Sequence, residues 1–193
     1  MSKTEIRNIE KKLLSDQWYT LHKVSFELKK KDGTWSTQSR ECYDQGDGAV
    51  ILLYNPAAKT VILTRQFRMP TYLNGNPCGM LIEGVAGKLD GESPAACIIR
   101  ETEEEVGYQI SRPTKVFELY LSPGAVTERL HFFIAEYTSA QKTTAGGGLT
   151  SESEEIEILE MKMDDALEKV RLGEIKDAKT VILLQYLRLN QIV

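Results

Sequence analysis

The stretch GKLDGESPAACIIRETEEEVG, Gly87 to Gly107, decides how this chain is read. Ser93 can cap a helix, Pro94 suits its first position, and Gly107 is a natural stop, so the spacing predicts a helix over Ser93–Val106. Ala95, Ala96, Ile98 and Ile99 imply that this helix packs in a core. Its last turns read Arg100-Glu101-Thr102-Glu103-Glu104-Glu105, which loads carboxylates onto the end that already carries partial negative charge from its unsatisfied carbonyls. Glu101 is three residues from Glu104 and four from Glu105, so all three lie near one face and repel by roughly a few tenths of a kcal/mol per pair. A solvated acidic surface is the bland alternative. A local rule broken inside a well-formed, core-packed element marks instead a functional place, and a divalent cation would turn this repulsion into ligation.

On the N-terminal side, AVILLY (Ala49–Tyr54) and TVILTRQF (Thr60–Phe67) read as strands flanking a turn-like Asn55-Pro56-Ala57-Ala58-Lys59. Further upstream, Trp18–Lys29 alternates apolar and polar positions, Lys31-Asp32-Gly33 supplies a turn, and Trp35–Tyr43 is a second extended piece. A small antiparallel β element over residues 1–46 and a main domain over 47–193 are expected. Downstream, Lys115–Leu121, Leu130–Tyr137 and Ile156–Met161 suit strands, and Asp164–Leu172 and Thr180–Asn190 suit helices. Strands and helices mixed without regular alternation favour an α+β fold, an α/β/α sandwich, over a doubly wound parallel sheet.

Composition narrows the function. The 193 residues suffice for one well-buried core and carry a net charge of −4, which argues against a general nucleic-acid binder. No apolar run approaches a membrane span, and MSKTEIRNIEKKLLSD has no signal-peptide core. Cys42, Cys78 and Cys97 are odd in number and widely spaced, which suits reduced thiols in a cytoplasmic protein; Cys78 and Cys97 are expected to be buried apolar groups. With only His22 and His131 present, a metal site must be built from oxygen ligands, which suits Mg²⁺ or Mn²⁺. His131 sits in an aromatic strand and reads as a core or interface residue. Gly46-Asp47-Gly48 lacks the third glycine of a dinucleotide fingerprint, and Gly146-Gly147-Gly148 is not followed by the Lys-Ser/Thr of a P-loop.

Gly87, Glu92, Arg100, Glu101, Glu104, Glu105 and Gly107 together resemble the Nudix box. Two departures stand out: the loop from Gly87 to Glu92 is one residue shorter than that signature, and Thr102 replaces an aliphatic residue. Beyond the box the chain is similar to the GDP-mannose pyrophosphatase subfamily, close to the ADP-ribose pyrophosphatases. Arg65-Gln66-Phe67-Arg68, Glu118 to Gly124, His131-Phe132-Phe133, the triple glycine and Lys179-Thr180 carry that likeness. It implies a Nudix fold with a mixed sheet and Mg²⁺-dependent hydrolysis of a nucleoside-diphosphate-sugar pyrophosphate, with GDP-mannose giving GMP and mannose 1-phosphate. It also implies a homodimer whose N-terminal sheet is exchanged into the partner's active site. ADP-ribose hydrolysis to AMP and ribose 5-phosphate is the alternative, and a non-catalytic nucleotide-sensing module is the alternative of another class.

The resemblance also implies roles for particular residues. Glu101 and Glu105 are the main metal ligands, with Glu104 an additional one and Ala86 contributing its carbonyl. Arg100 orients the helix carboxylates. Glu154, in the loop after the glycines, completes the metal site and activates the water, with Glu152 and Glu155 as candidates beside it. Trp18, Ser39, Arg40, Glu41, Arg68, Ala86, Gly87, Lys88, Glu105, Glu128, Ser153, Glu154 and Lys179 are the implied substrate contacts. Trp18 stands where a tyrosine is usual and keeps a ring to stack on a purine; Ser39 stands where a lysine occurs and loses its charge.

Overall fold

The computed structural model describes residues 4–149, 151 and 154–193. By compactness the chain forms two units: one runs to Asp47 and takes in Tyr120–Arg129, and the other comprises Gly48–Leu119 with Leu130–Val193.

In the first unit β1 (Ile6–Asp16), β2 (Thr20–Lys29) and β3 (Trp35–Asp44) form an antiparallel sheet in the order β1-β2-β3. The Asp32 turn between β2 and β3 closes with Oδ1 accepting from Thr34 N at 2.9 Å. Strand β1 is the surprise, because Ile6, Ile9, Leu13 and Leu14 are spaced as on a helix face. Register shifts after Arg7 and Leu13, with Asn8 at φ 54°, let this irregular pattern pair as a strand. Residues 120–129 strap onto β3 through Tyr43 N to Ala125 O (2.8 Å) and Thr127 N to Tyr43 O (3.0 Å).

The second unit holds a mixed sheet ordered β10-β5-β4-β9-β8, made of β4 (Gly48–Asn55), β5 (Thr60–Phe67), β8 (Thr114–Leu119), β9 (Leu130–Glu136) and β10 (Glu157–Lys162). Only β4 and β9 of this path run parallel. Two short strands, β6 (Met80–Glu83) and β7 (Val85–Lys88), extend it; β6 pairs β5 and β7 pairs β4, so the chain changes partner at Gly84. Helix α1 (Met69–Leu73) is short and exposed, and α2 (Pro94–Val106), α3 (Met163–Arg171) and α4 (Ala178–Leu189) complete the unit.

The period-2 alternation of β4 builds two cores. Ala49, Ile51 and Leu53 pack with Cys97, Ile98 and Val106 of α2. Val50 and Leu52 are buried as well, and a ring ladder of Phe132, Phe117 and Tyr186 ties β9 and β8 to α4. Helices thus cover both faces of a mixed sheet, the α+β sandwich expected from the sequence. No described helix is long and apolar enough to cross a membrane.

Candidate active site

Helix α2 delivers the carboxylates. The Ser93 side chain accepts from Ala96 N, Pro94 follows, and Gly107 at φ 75° ends the helix, so its limits agree with the caps read from the sequence. Thr102, at a position where the Nudix box has an aliphatic residue, is fully buried and donates Oγ1 to Ile98 O at 2.6 Å, which satisfies its hydroxyl inside the core. The thiol of Cys97 meets Lys88 O at 3.1 Å and holds the helix to β7. Burial first, then the Glu101 charge, pushes that thiol up to about 12, so Cys97 is a packing group and no nucleophile.

Arg100 gathers three of the acids: Glu92 at 3.3 Å, Glu101 at 3.0 Å and Glu104 at 2.8 Å. Glu105 receives none of this help. It is 2% exposed, and its Oε2 has no hydrogen-bond partner among the described residues. Burial, then the charges of Glu101 and Glu154, hold its carboxyl far above the usual carboxylate range, with Arg68 opposing. Burial likewise raises Glu101 to about 7 against the pull of Arg100. Among the described residues no three His, Cys, Asp or Glu side chains already converge as a metal cage, because Glu92, Glu101 and Glu104 are turned onto Arg100. The donor set nonetheless fits a hard divalent cation: all ligands are oxygens, one buried carboxylate oxygen is orphaned, and Gly87 makes room for the Glu101 carboxylate, which a Cβ there would overlap. Ala86 and Gly87 lie on β7 beside it, paired with Val50 and Ala49.

The triple glycine caps this acidic helix end. Gly147 N donates to Glu105 O at 2.8 Å and Gly148 N to Glu104 O at 3.2 Å, satisfying carbonyls the helix leaves open. The same run positions Glu154, which accepts from Leu149 N through Oε2 at 3.2 Å and donates its own N to Leu149 O at 3.3 Å. Gly148 sits at φ 83°, and a Cβ on it would stand 2.7 Å from the Cβ of Glu154, so only glycine fits there. Arg68, Glu154 and Glu155 line one cavity of about 710 Å³ with Arg65, Phe67 and Met80.

Arg68 and Lys179, distant in sequence, meet on one residue that sequence reasoning missed. Glu83, with its side chain 4% exposed, accepts a hydrogen bond from Arg68 Nε on Oε2 (2.9 Å), with Arg68 Nη2 in ion-pair contact at 2.8 Å, and accepts Lys179 Nζ (2.9 Å) on Oε1. Lys179 also donates to Asp177 Oδ1 at 2.7 Å, and although burial opposes it, Glu83 and Asp177 keep its pKa above the usual lysine range. The available signal was a lone acid inside the apolar run Met80-Leu81-Ile82-Glu83.

Trp18, Ser39, Arg40, Glu41 and Glu128 belong to the first unit. Trp18 is 84% exposed, and Arg40 is held along β3 by Ser39 O (2.8 Å) and Gln38 Oε1 (2.9 Å). Ser153 and Glu152 lie outside the described residues. The expectation that Cys78 is buried is corrected: it is exposed beside Asn76, in the turn after α1, where no strand or helix covers it. His131 is buried in β9, with Nδ1 at 3.3 Å from Glu118.

Residues 44–183 match the NUDIX domain, and residues 5–43 match the family described as the GDP-mannose pyrophosphatase NudK N-terminal domain. The chain therefore belongs to the Nudix family and is a hydrolase of that family, whose members generally use a divalent metal. Its relatives narrow the group further. It is 51% identical to GDP-mannose pyrophosphatase of Escherichia coli O157:H7 over 189 residues, covering 98% of each chain. The same figures hold for the enzyme of that name from Shigella dysenteriae serotype 1, and identity is 50% over the same share for that of Escherichia coli O1:K1.

Proposed function

We propose that this protein hydrolyses the pyrophosphate of GDP-mannose to GMP and mannose 1-phosphate, using Mg²⁺ or, in its place, Mn²⁺. The observation that carries this reading is the buried, orphaned Oε2 of Glu105 among acids that repel one another. The near full-length likeness to GDP-mannose pyrophosphatases supports the choice of substrate.

In this reading Glu101, Glu105, Glu104, the Ala86 carbonyl and Glu154 hold the cation. A bound divalent cation neutralises the pyrophosphate and polarises its bridging oxygen. The rest of the work falls to the chain. Arg100 fixes the rotamers of Glu101 and Glu104 by its ion pairs. Glu154 takes a proton from water as the new P–O bond forms and the bridging P–O bond breaks. Arg68 and Lys179, with Gly87 and Lys88, face the phosphates and sugar.

The exposed apolar row Ile6, Ile9, Leu13 and Leu14, with Trp18, supports a homodimer in which the element over residues 1–46 is exchanged. Trp18, Ser39, Arg40 and Glu41, together with Glu128 and Ser153, then complete the nucleotide site. Three free cysteines fit a reducing, cytoplasmic setting.

The test is kcat/KM for GDP-mannose, ADP-ribose, ADP-glucose and UDP-glucose at fixed Mg²⁺, with an EDTA control. GDP-mannose should lead and EDTA should abolish turnover. Preference for ADP-ribose would reassign the substrate, and undiminished turnover in EDTA would remove the metal from the reaction.

A further inference from the structure

We propose that Glu83 is a positioning residue for substrate binding: its single buried carboxylate holds Arg68 and Lys179 together and aims the Arg68 guanidinium at the cavity shared with Glu154. The inference rests on the reading above, in which Arg68 contacts the phosphates, and it adds a residue outside the metal and substrate sets considered so far.

The geometry divides the carboxylate cleanly. Oε2 accepts Arg68 Nε and lies in ion-pair contact with Nη2, and Oε1 accepts Lys179. The Arg68 side chain is 40% exposed and lines the cavity, while Lys179 is only 15% exposed. With Nε hydrogen-bonded and Nη2 held in ion-pair contact with Oε2, Nη1 of Arg68 has no hydrogen-bond partner among the described residues. A planar guanidinium gripped along one edge presents its other donors in a fixed direction, which a flexible ammonium cannot do.

Glu83 is itself rigidly placed. Its carbonyl accepts Thr64 Oγ1 at 3.2 Å from β5. The next residue, Gly84, leaves the β6 ladder and donates N to Thr180 Oγ1 at 2.7 Å on α4. Thr180 is held in turn by Asp177, the N-cap of α4, through N (2.9 Å) and Oγ1 (2.6 Å). The switch of strand partner at Gly84 therefore registers α4 against β5, and Glu83 carries that register to both cations. An apolar residue would fill the same space, but it would leave a buried ammonium without its second carboxylate.

The experiment compares wild type, Glu83→Gln, Arg68→Ala, the double variant and Arg68→Lys. It measures kcat and KM for GDP-mannose at saturating Mg²⁺, binding of inorganic diphosphate by calorimetry, and the thermal midpoint. Glutamine at 83 must turn its amide onto one of the two cations. It should raise KM and weaken diphosphate binding by about 10- to 100-fold while kcat changes far less. In the double variant the binding loss should fall well short of the sum of the two single losses, since Glu83 acts chiefly through Arg68. Should Glu83→Gln fail to fold, Arg68→Lys decides: it alters a half-buried side chain and should lose nearly as much affinity as Arg68→Ala.

Additive losses in the double variant, wild-type KM in Glu83→Gln, or wild-type affinity in Arg68→Lys would each overturn the proposal. Weakened diphosphate binding by Glu83→Gln in an enzyme that leaves GDP-mannose intact would uphold the positioning role and sink only the substrate reading.

Discussion

Two buried acids in the second unit sit in opposite circumstances. Glu83 is enclosed by Arg68 and Lys179, with Asp177 sharing the lysine, so two carboxylates and two cations balance within the protein. Glu105 lies at the end of α2 with an orphaned oxygen, and its carboxyl is forced upward by burial and by Glu101 and Glu154. A closed charge cluster fixes structure and aims side chains. An open one leaves repulsion in place until something of opposite charge arrives. In the function proposed above, the difference separates the part of the site that orients substrate from the part that takes a cation.

The largest effects are expected at the open cluster. Glu154→Gln should lower kcat by about 10²–10⁴-fold with little change in KM, as loss of a general base does. Glu152→Gln and Glu155→Gln should do much less, and a large loss at Glu155 would move the base by one position. Glu105→Gln should cost about 10²–10³-fold in kcat, comparable to removing one electrostatic contact made in the transition state. Rates near wild type in that variant would erase the distinction between the two acids.

A smaller effect sharpens the geometry of the loop. Gly148→Ala places a Cβ against Glu154, so kcat should fall by roughly tenfold through displacement of the base. Combined with Glu154→Gln it should add nothing further. An additive loss would mean that the glycine serves the helix cap alone.

The gentlest probe is pH. Folded Glu101 titrates at about 7, against 4.5 for an ordinary glutamate, and Glu105 is raised in the same direction. Between those values the folded chain binds more protons than the unfolded one, so this contribution is fully present below about pH 4.5 and lost as pH rises through 7. Metal-free protein should therefore lose stability from pH 5 to 8, a slope that chemical denaturation can read. Glu105→Gln should flatten it, whereas Glu83→Gln should not.

The sequence disclosed the open cluster because its acids are neighbours on one helix, where spacing alone puts them together. The caps Ser93, Pro94 and Gly107 bound that helix correctly for the same reason. The closed cluster was illegible, since Arg68, Glu83 and Lys179 come from three elements and meet only through the partner switch at Gly84. Strand β1 was hidden by the helix-like spacing of Ile6, Ile9, Leu13 and Leu14, and β6 and β7 by their shortness. The joining of residues 120–129 to the N-terminal sheet depends on backbone hydrogen bonds to Tyr43, which no side-chain pattern encodes.

The proposed role of Glu105, whose buried carboxylate is left without a hydrogen-bond partner on Oε2, is to hold a divalent cation. It is tested most directly by the thermal midpoints of wild type and Glu105→Gln at pH 8, each with EDTA and with excess Mg²⁺. Wild type should gain about 5 °C or more from Mg²⁺, as a ligand specific to the folded state provides. Glu105→Gln should begin above wild type in EDTA, because the cost of burying or protonating that carboxylate is gone, and gain little from the metal. A variant less stable than wild type in EDTA, with an undiminished response to Mg²⁺, would contradict the account.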